Sequence, residues 1–301
     1  MGLMRSTVLI SLLAGGILAI ASAPPHAQPN IAGLEQIKDN LYVITGGGGN
    51  TAAFITSDGV VVVDTKLSDW GQPILDQIQT VTDKPVTMII NTHTHGDHVG
   101  SNDEFSSPVE IVAHRNTDAN MQRMPIFDGD NARYLPSTTF ANQMSLLDGD
   151  DQIDLYYFGR GHTDGDAFVV FPALRTVHTG DLFASSSVPI VDRNNGGSVL
   201  AYPDTVRDAL AGISEVDTVI PGHRTVTDWA TFSEFGDFTY ELVTAIRQAK
   251  LMGRGIDDTV ETLELPNLYD NYDRNPRLGS TGRMIGGLTD FVTKAFAELE
   301  Q

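Results

Sequence analysis

The sequence predicts an α/β fold, and three observations carry that prediction. Short apolar runs rich in β-branched residues alternate with stretches of helical periodicity along most of the chain. The run Val86 to Asn91 leads directly to a histidine cluster beginning at His93, and α/β folds gather their ligands at the carboxyl ends of strands. The chain has 301 residues, enough to bury a core of this class without the help of cysteine, of which it has none.

Taken in order, residues 1–27 read as a secretory signal. Arg5 supplies the positive start, Val8 to Ala21 the apolar stretch, and Pro25-His26-Ala27 a small-residue cleavage site before Gln28. The apolar stretch is shorter than the roughly 20 residues that a membrane span requires. Three strand-like runs follow, Leu41 to Thr45, Thr51 to Thr56 and Val60 to Asp64. They are separated by Gly46-Gly47-Gly48-Gly49-Asn50 and by Ser57-Asp58-Gly59, which predicts hairpins. A helix is predicted around Gly71 to Val81, then strand Val86 to Asn91, strand Glu110 to Ala113 and helix Thr117 to Met124. Strands Ile153 to Phe158, Ala167 to Phe171 and Thr176 to Thr179 come next, with a helix from Asp204 to Ile213 and a strand Thr218 to Ile220. The last third is predicted to be mainly helical, with Glu234 to Met252 and Gly282 to Leu299 the clearest segments. No internal repeat or linker divides residues 28–301, which predicts one domain in an exported mature protein, periplasmic or secreted.

Composition removes several function classes. The formal net charge of −20 repels phosphate backbones and anionic membrane surfaces, so neither a nucleic acid nor a membrane is expected as partner. A small-molecule substrate is expected instead, and oligomeric state is left open. Without cysteine, any metal or catalytic role must fall to histidine, carboxylate or hydroxyl groups.

The segment Asn91-Thr92-His93-Thr94-His95-Gly96-Asp97-His98 places three imidazoles and a carboxylate within six positions. Neutral imidazole and carboxylate are zinc's preferred ligands when thiolate is lacking, and alternating them on a tight loop lets them address two neighbouring sites. Three further pieces follow, each after a strand-like run: Gly161-His162-Thr163-Asp164-Gly165-Asp166, then Thr179-Gly180-Asp181, then Pro221-Gly222-His223. His114 and His178 read as structural histidines rather than ligands. Asp164 and Asp166 suit either a turn or an orienting role beside His162.

On these residues the chain resembles the metallo-β-lactamase superfamily, whose pattern is H-x-H-x-D-H followed by a single His, an Asp and a final His. The resemblance implies a four-layer αβ/βα sandwich with two metal sites at one edge of its sheets. It assigns His93, His95 and His162 to a first zinc, Asp97, His98 and His223 to a second, and Asp181 to a bridge between them. Two such ions share a hydroxide that attacks the substrate, and Asp97 becomes the candidate catalytic residue that guides its proton to the leaving group. Asp64, which closes strand Val60 to Asp64, resembles the superfamily's first motif, a carboxylate behind the histidine loop that orients a ligand.

Within that superfamily the implied activity is hydrolysis of a small cyclic amide or ester, β-lactamase-like, with a lactonase or a thioesterase or esterase as the alternative. His95 departs from the H-x-E-x-D pattern of the flavodiiron branch, and lactamase subclasses with a cysteine ligand are excluded. The subclass completing its second site with Asp, His and His matches Asp97, His98 and His223. Asp181 departs from that subclass and resembles the lactonases and glyoxalase-type thioesterases. Against the thioesterases, Glu241 to Gln301 shows no basic cluster. An iron-dependent sulfur oxygenase of the same fold is the alternative from another class, and it leaves His98 and His223 without use. Candidate substrate-binding residues are Asn195, Gly196 and Tyr134. The glycine-rich loop Gly46 to Asn50, the connection Pro125 to Phe140 with Phe127, Tyr134 and Phe140, and the segment Asn194-Asn195-Gly196-Gly197-Ser198 are candidate walls.

Overall fold

Strands form where β-branched runs can be covered on both faces. The computed structural model describes residues 32–105, 108–279 and 283–301. The signal reading of residues 1–27 lies outside them. The first sheet runs in sequence order: β1 (Gly33–Lys38), β2 (Leu41–Thr45), β3 (Thr51–Ile55), β4 (Val60–Val63), β5 (Val86–Asn91), β6 (Glu110–His114) and β7 (Thr138–Phe140). The first four are antiparallel through tight connections, and from β2 to β4 these are the hairpins that the glycine and aspartate turns predict. From β4 to β7 the pairing is parallel. Parallel neighbours need crossovers, and these carry α1 (Gly71–Gln79), α2 (Gly96–Val99) and α3 (Arg115–Met121).

The second sheet contains β8 (Gln143–Leu146), β9 (Ile153–Tyr156), β10 (Phe168–Phe171), β11 (Thr176–His178), β12 (Thr218–Ile220) and β13 (Thr227–Asp228), in the order β13-β12-β11-β10-β9-β8. Its parallel pair, β11 and β12, is joined across α4 (Tyr202–Gly212). The chain then forms α5 (Trp229–Leu251), α6 (Ile256–Thr262), a small ribbon of β14 (Arg277–Leu278) with β15 (Met284–Ile285), and α7 (Gly287–Glu298).

Side-chain alternation sorts these elements into four layers. In β4, Val61 and Val63 face the core between the sheets with Val169 and Phe171 of β10. Val60 and Val62 face the other way, against Ile74 and Ile78 of α1. In β10, Phe168 and Val170 turn outward onto Val206 of α4, Phe232 and Leu242 of α5 and Phe291 of α7. Both faces of each run are therefore buried, which explains why Val60–Val63 reads as unbroken valine rather than as alternation. The order helix, sheet, sheet, helix is the αβ/βα sandwich that the resemblance implied.

Several elements were not anticipated. β1 is largely exposed and carries no apolar alternation; it exists because β2 offers it an edge. α5 begins at Trp229 rather than Glu234, because the Asp228 carboxylate accepts from the Thr231 N–H at 2.8 Å and caps it. The mainly helical last third also carries β13 and the β14–β15 ribbon, which no local pattern marked.

Candidate metal centre

The chemistry-bearing residues lie in loops at one edge of both sheets. Asp64 follows β4 and Thr92 follows β5, which are parallel neighbours. Asp181 and His223 follow β11 and β12, also parallel neighbours, and their loops are tied by Gly222 N–H to Phe183 O at 3.1 Å and His223 N–H to Ala184 O at 3.0 Å. The Ala167 N–H donates to Thr92 O at 2.9 Å, which joins the two sheets at this edge.

Side chains from these loops converge in two sets. His93, His95 and His162 offer ligand atoms within 4.8 Å of one another, and so do Asp97, His98 and His223. His162 Nδ1 lies 2.7 Å from the Ile190 carbonyl and donates to it, and His95 Nε2 donates to Asp192 Oδ2 at 2.8 Å. Each ring therefore turns a lone pair inward, and those two inward nitrogens face each other at 2.8 Å. His93 Nε2 is buried beside them with no hydrogen-bond partner among the described residues. Three converging lone pairs are repulsive unless a cation sits among them, so this set fits a metal ion.

Asp181 stands between the sets. Its Oδ1 is 3.3 Å from both His98 Nε2 and His223 Nε2, and its Oδ2 is 3.7 Å from His162 Nε2. His98 Nε2 and Asp181 Oδ1 are themselves buried without an aligned hydrogen bond. Burial opposes ionisation of Asp181, but His223 and His98 outweigh it and hold its carboxyl well below the usual carboxylate range. Burial keeps His93 well below its ordinary value, with the like charges of His98 and His162 acting in the same sense. Asp97 Oδ2 is 3.5 Å from His223 Nε2, and its side chain remains partly open to solvent.

Asp64 is fully buried and its atoms could also join a ligand group with His93 and His98. Its oxygens are already occupied: Oδ1 accepts from the Thr92 N–H at 2.8 Å, and Oδ2 accepts from Thr92 Oγ1 and His98 Nδ1, both at 2.7 Å. Thr92 Oγ1, having donated to Asp64, accepts from His93 Nδ1 at 3.0 Å. One carboxylate thus sets the tautomer and angle of two imidazoles. The glycine-rich loop packs against the same histidine segment: a Cβ on Gly48, whose φ is +115°, would meet Asp97 Cβ at 2.6 Å, and one on Gly49 would overlap the His98 ring. Lys66, wholly buried, holds that loop by donating to Ile44 O at 2.8 Å and Gly49 O at 2.6 Å. Burial pushes its ammonium down to about 7, against the pull of Asp64 and Asp97.

A cavity of about 990 Å³ opens over the centre, lined among others by Gly46, Gly48, Asn50, His95, Asp97, Asp181 and His223. Asn50 braces the His223 loop by donating to Pro221 O and Arg224 O at 2.9 and 2.8 Å. The remaining nominated wall residues are placed elsewhere. Tyr134 packs with the helix-side clusters of the first sheet, Phe127 is buried in a satellite of that region, and Phe140 lies between the sheets. The aromatic content of Pro125 to Phe140 serves packing, which composition alone does not distinguish from pocket lining. Asn195 instead holds Asp192 from behind, its Nδ2 donating to Asp192 Oδ2 at 2.7 Å, and Gly196 turns at φ +74° against Asp164. The wall residue from this segment is Asn194. Asp164 accepts from Asn120 Nδ2 at 2.9 Å, while Asp166 folds the His162 loop by accepting from the N–H and Oγ1 of Thr163. His114 stacks on Tyr157 with ring centroids 4.0 Å apart, and His178 donates to Asn50 O at 3.2 Å, so both are structural.

Asp192, Thr92 and Lys66 escaped the sequence reading. Asp192 lies 97 residues from His95, and no local pattern marks it. Thr92 sits inside the histidine motif and was visible there as the one hydroxyl preceding His93.

This fold and this double nest of imidazoles and carboxylates define an α/β protein built to hold metal ions. A profile of the metallo-beta-lactamase superfamily matches residues 44–223. The type 2 metallo-beta-lactamase of Elizabethkingia meningoseptica is 28% identical over 242 residues, covering 75% of this chain and 89% of that protein. Among solved structures, a metallo-beta-lactamase from Pontibacter korlensis superposes with a TM-score of 0.61 at 19% identity, over 69% of this chain and 99% of that one. The sec-alkylsulfatase Pisa1 from Pseudomonas sp. superposes with a TM-score of 0.74 at 14% identity, over 89% of this chain and half of that one. The chain belongs to the metallo-beta-lactamase superfamily and is a hydrolase.

Proposed function

We propose that this protein is an exported dizinc hydrolase that opens a small cyclic amide or ester, with residues 28–301 forming one catalytic domain behind a cleavable signal. The observation that carries the reading is the convergence of orphaned ligand atoms, His93 Nε2, His98 Nε2 and Asp181 Oδ1, in two adjoining sets with one carboxylate between them. His93, His95 and His162 would hold a first ion and Asp97, His98 and His223 a second, with the Asp181 carboxylate standing between the two sets. Bound there, zinc supplies a water ionised near neutral pH and polarises the attacked carbonyl.

The chain's own groups do the rest. Asp64 and Thr92 fix the rings of His98 and His93, Asp192 fixes His95, and the Ile190 carbonyl fixes His162. Asp97 faces the cavity from beside His223 and is the residue that carries a proton from the attacking water toward the leaving group. Asp181 supports a lactonase or thioesterase as the second reading, since it stands where the lactamase subclass with an Asp-His-His site has no carboxylate. A one-iron sulfur oxygenase leaves the complete set of Asp97, His98 and His223 idle.

The test is metal content together with turnover. Purified protein loaded with zinc is expected to hold two ions per chain and to hydrolyse at least one of nitrocefin, an acyl-homoserine lactone or an aryl ester, with activity lost on chelation. Asp97→Ala is expected to lower kcat by about 10²-fold or more, and Asp181→Ser to release zinc. Protein that retains no zinc, or an Asp97→Ala variant as active as wild type, overturns the assignment.

A further inference from the structure

One wall of the cavity carries positive charge that the metal centre does not use. Arg277, on β14, and Arg224, next to His223, both line it. Arg277 Nη2 donates to Ser185 Oγ at 3.2 Å, and its Nε is 3.9 Å from Asp273 Oδ2. Among the described residues that is its one ion pair, and Arg224 has none within 4.0 Å. The two guanidiniums lie within Coulombic reach of each other and of Asp273, and Arg277 also feels Asp181 across the cavity. Apart from Glu35 at the rim, the other charged groups of the cavity are committed. Asp97 and Asp181 belong to the metal centre, Asp192 accepts from His95, and Lys294 donates to Asp290 and to the Val191 carbonyl at 2.6 and 2.7 Å. Glu35 reaches the rim from the exposed edge strand β1.

Beside the arginines the wall is apolar. Ile190 and Val191 line it from below, and Met284 and Ile285 stand on β15, the ribbon partner of β14, with Ile285 paired opposite Arg277. Met284 is 60% exposed and Ile285 41%, an apolar surface at the mouth of a polar site. All four ribbon residues fall outside the superfamily match at residues 44–223, so the ribbon part of this wall belongs to the C-terminal segment of this chain.

Resting on the hydrolase reading, we infer that Arg277 with Arg224 seats an anionic oxygen group of the substrate, which makes the substrate an amphiphilic ester, lactone or amide with an apolar body and a carboxylate or sulfate. The chain's charge of −20 repels anions at long range. A site selecting one must therefore hold it by short, charge-assisted contacts, and the planar guanidinium fork matches a two-oxygen acceptor. A neutral lactone offers neither guanidinium an anionic partner.

The experiment compares two aryl esters on the zinc-loaded full chain: the 4-nitrophenyl monoester of adipic acid, and the same molecule with its free carboxylate capped as the methyl ester. Wild type is expected to favour the anionic ester at least tenfold in kcat/KM, mostly through KM, with the preference shrinking as salt is added. Arg277→Gln brings the ratio toward one, and Arg277→Lys, which keeps the charge but not the fork, retains part of it. Binding of octanoate and of octyl sulfate, followed by calorimetry, is expected to weaken at least tenfold in Arg277→Gln. The tighter of the two names the carboxylate or the sulfate as the natural group. Turnover of both esters without preference, or a preference and binding unchanged in Arg277→Gln, overturns the inference. Absence of any turnover with Arg277-dependent binding intact would instead count against the hydrolase reading alone. Should Arg277→Gln not fold, a reduced preference in Arg277→Lys supports the inference, and a preference unchanged in Arg277→Lys overturns it.

Discussion

Replacing Asp64 by Asn changes one atom's chemistry at constant shape, and its consequence can be worked through the hydrogen bonds. Oδ1 can still accept from the Thr92 N–H. The amide nitrogen now takes the place of Oδ2, which accepted from Thr92 Oγ1 and His98 Nδ1, both at 2.7 Å. An amide N–H cannot accept from His98 Nδ1–H, so the imidazole must move its proton to Nε2. That is the buried atom aimed at the second ligand set. A charge-assisted hydrogen bond of this kind contributes about 1.5–3 kcal/mol, and at about 1.4 kcal/mol per decade that corresponds to roughly 10- to 100-fold in zinc affinity. The usual effect of losing a partner behind a ligand spans the same range. Competition with a chromophoric chelator is expected to show one ion leaving 10- to 100-fold more readily, while the ion held by His93, His95 and His162 is released last. Thermal melting of the metal-free variant separates this from unfolding. Two ions released together at wild-type affinity from a folded variant would refute the reasoning.

The other perturbations act on different shells. Asp192→Ala removes the acceptor of His95 Nε2–H and is expected to weaken zinc at the first set by about 10- to 100-fold while sparing the second; chelator competition on this variant and on the pair with Asp64→Asn shows whether the two losses fall on different ions. His178 is held neutral, because burial pushes it down to about 4. An unfolded histidine near 6.5 binds a proton that the folded one refuses, so this residue's stabilisation is present above pH 6.5 and is lost as pH falls toward 4. Between pH 7 and 5 that is about 2 kcal/mol, measured as a steeper fall in urea unfolding stability for wild type than for His178→Gln; parallel falls would remove the assignment.

How much of this was legible in sequence varies with the range over which each residue acts. The strands β2 to β5 and their turns could be read because the valine runs and the glycine and aspartate punctuation are local signals. The edge strand β1 could not, since its pairing with β2 is what makes it a strand. Helix α5 was found but begun late, because its cap is the single Asp228 carboxylate rather than an apolar period. The aromatics of Pro125 to Phe140 suggested a pocket wall, and only packing could assign Phe140 to the space between the sheets and Phe127 to a satellite core.

The sequence by itself determined which groups are available to hold a metal. With no thiol present, imidazole and carboxylate are the candidates, and the resemblance picked out His93, His95, Asp97 and His98 on one short loop with His162, Asp181 and His223 after it, because side-chain identity and local spacing are carried along the chain. Tertiary structure alone decided which groups support and surround them. Asp192 meets His95 across 97 residues, Lys66 pins the glycine loop from within the core, and Arg277 joins Arg224 at a wall where the sequence showed no basic cluster. Such meetings are set by how two sheets stack and where their loops end, and separation in space has no fixed relation to separation along the chain.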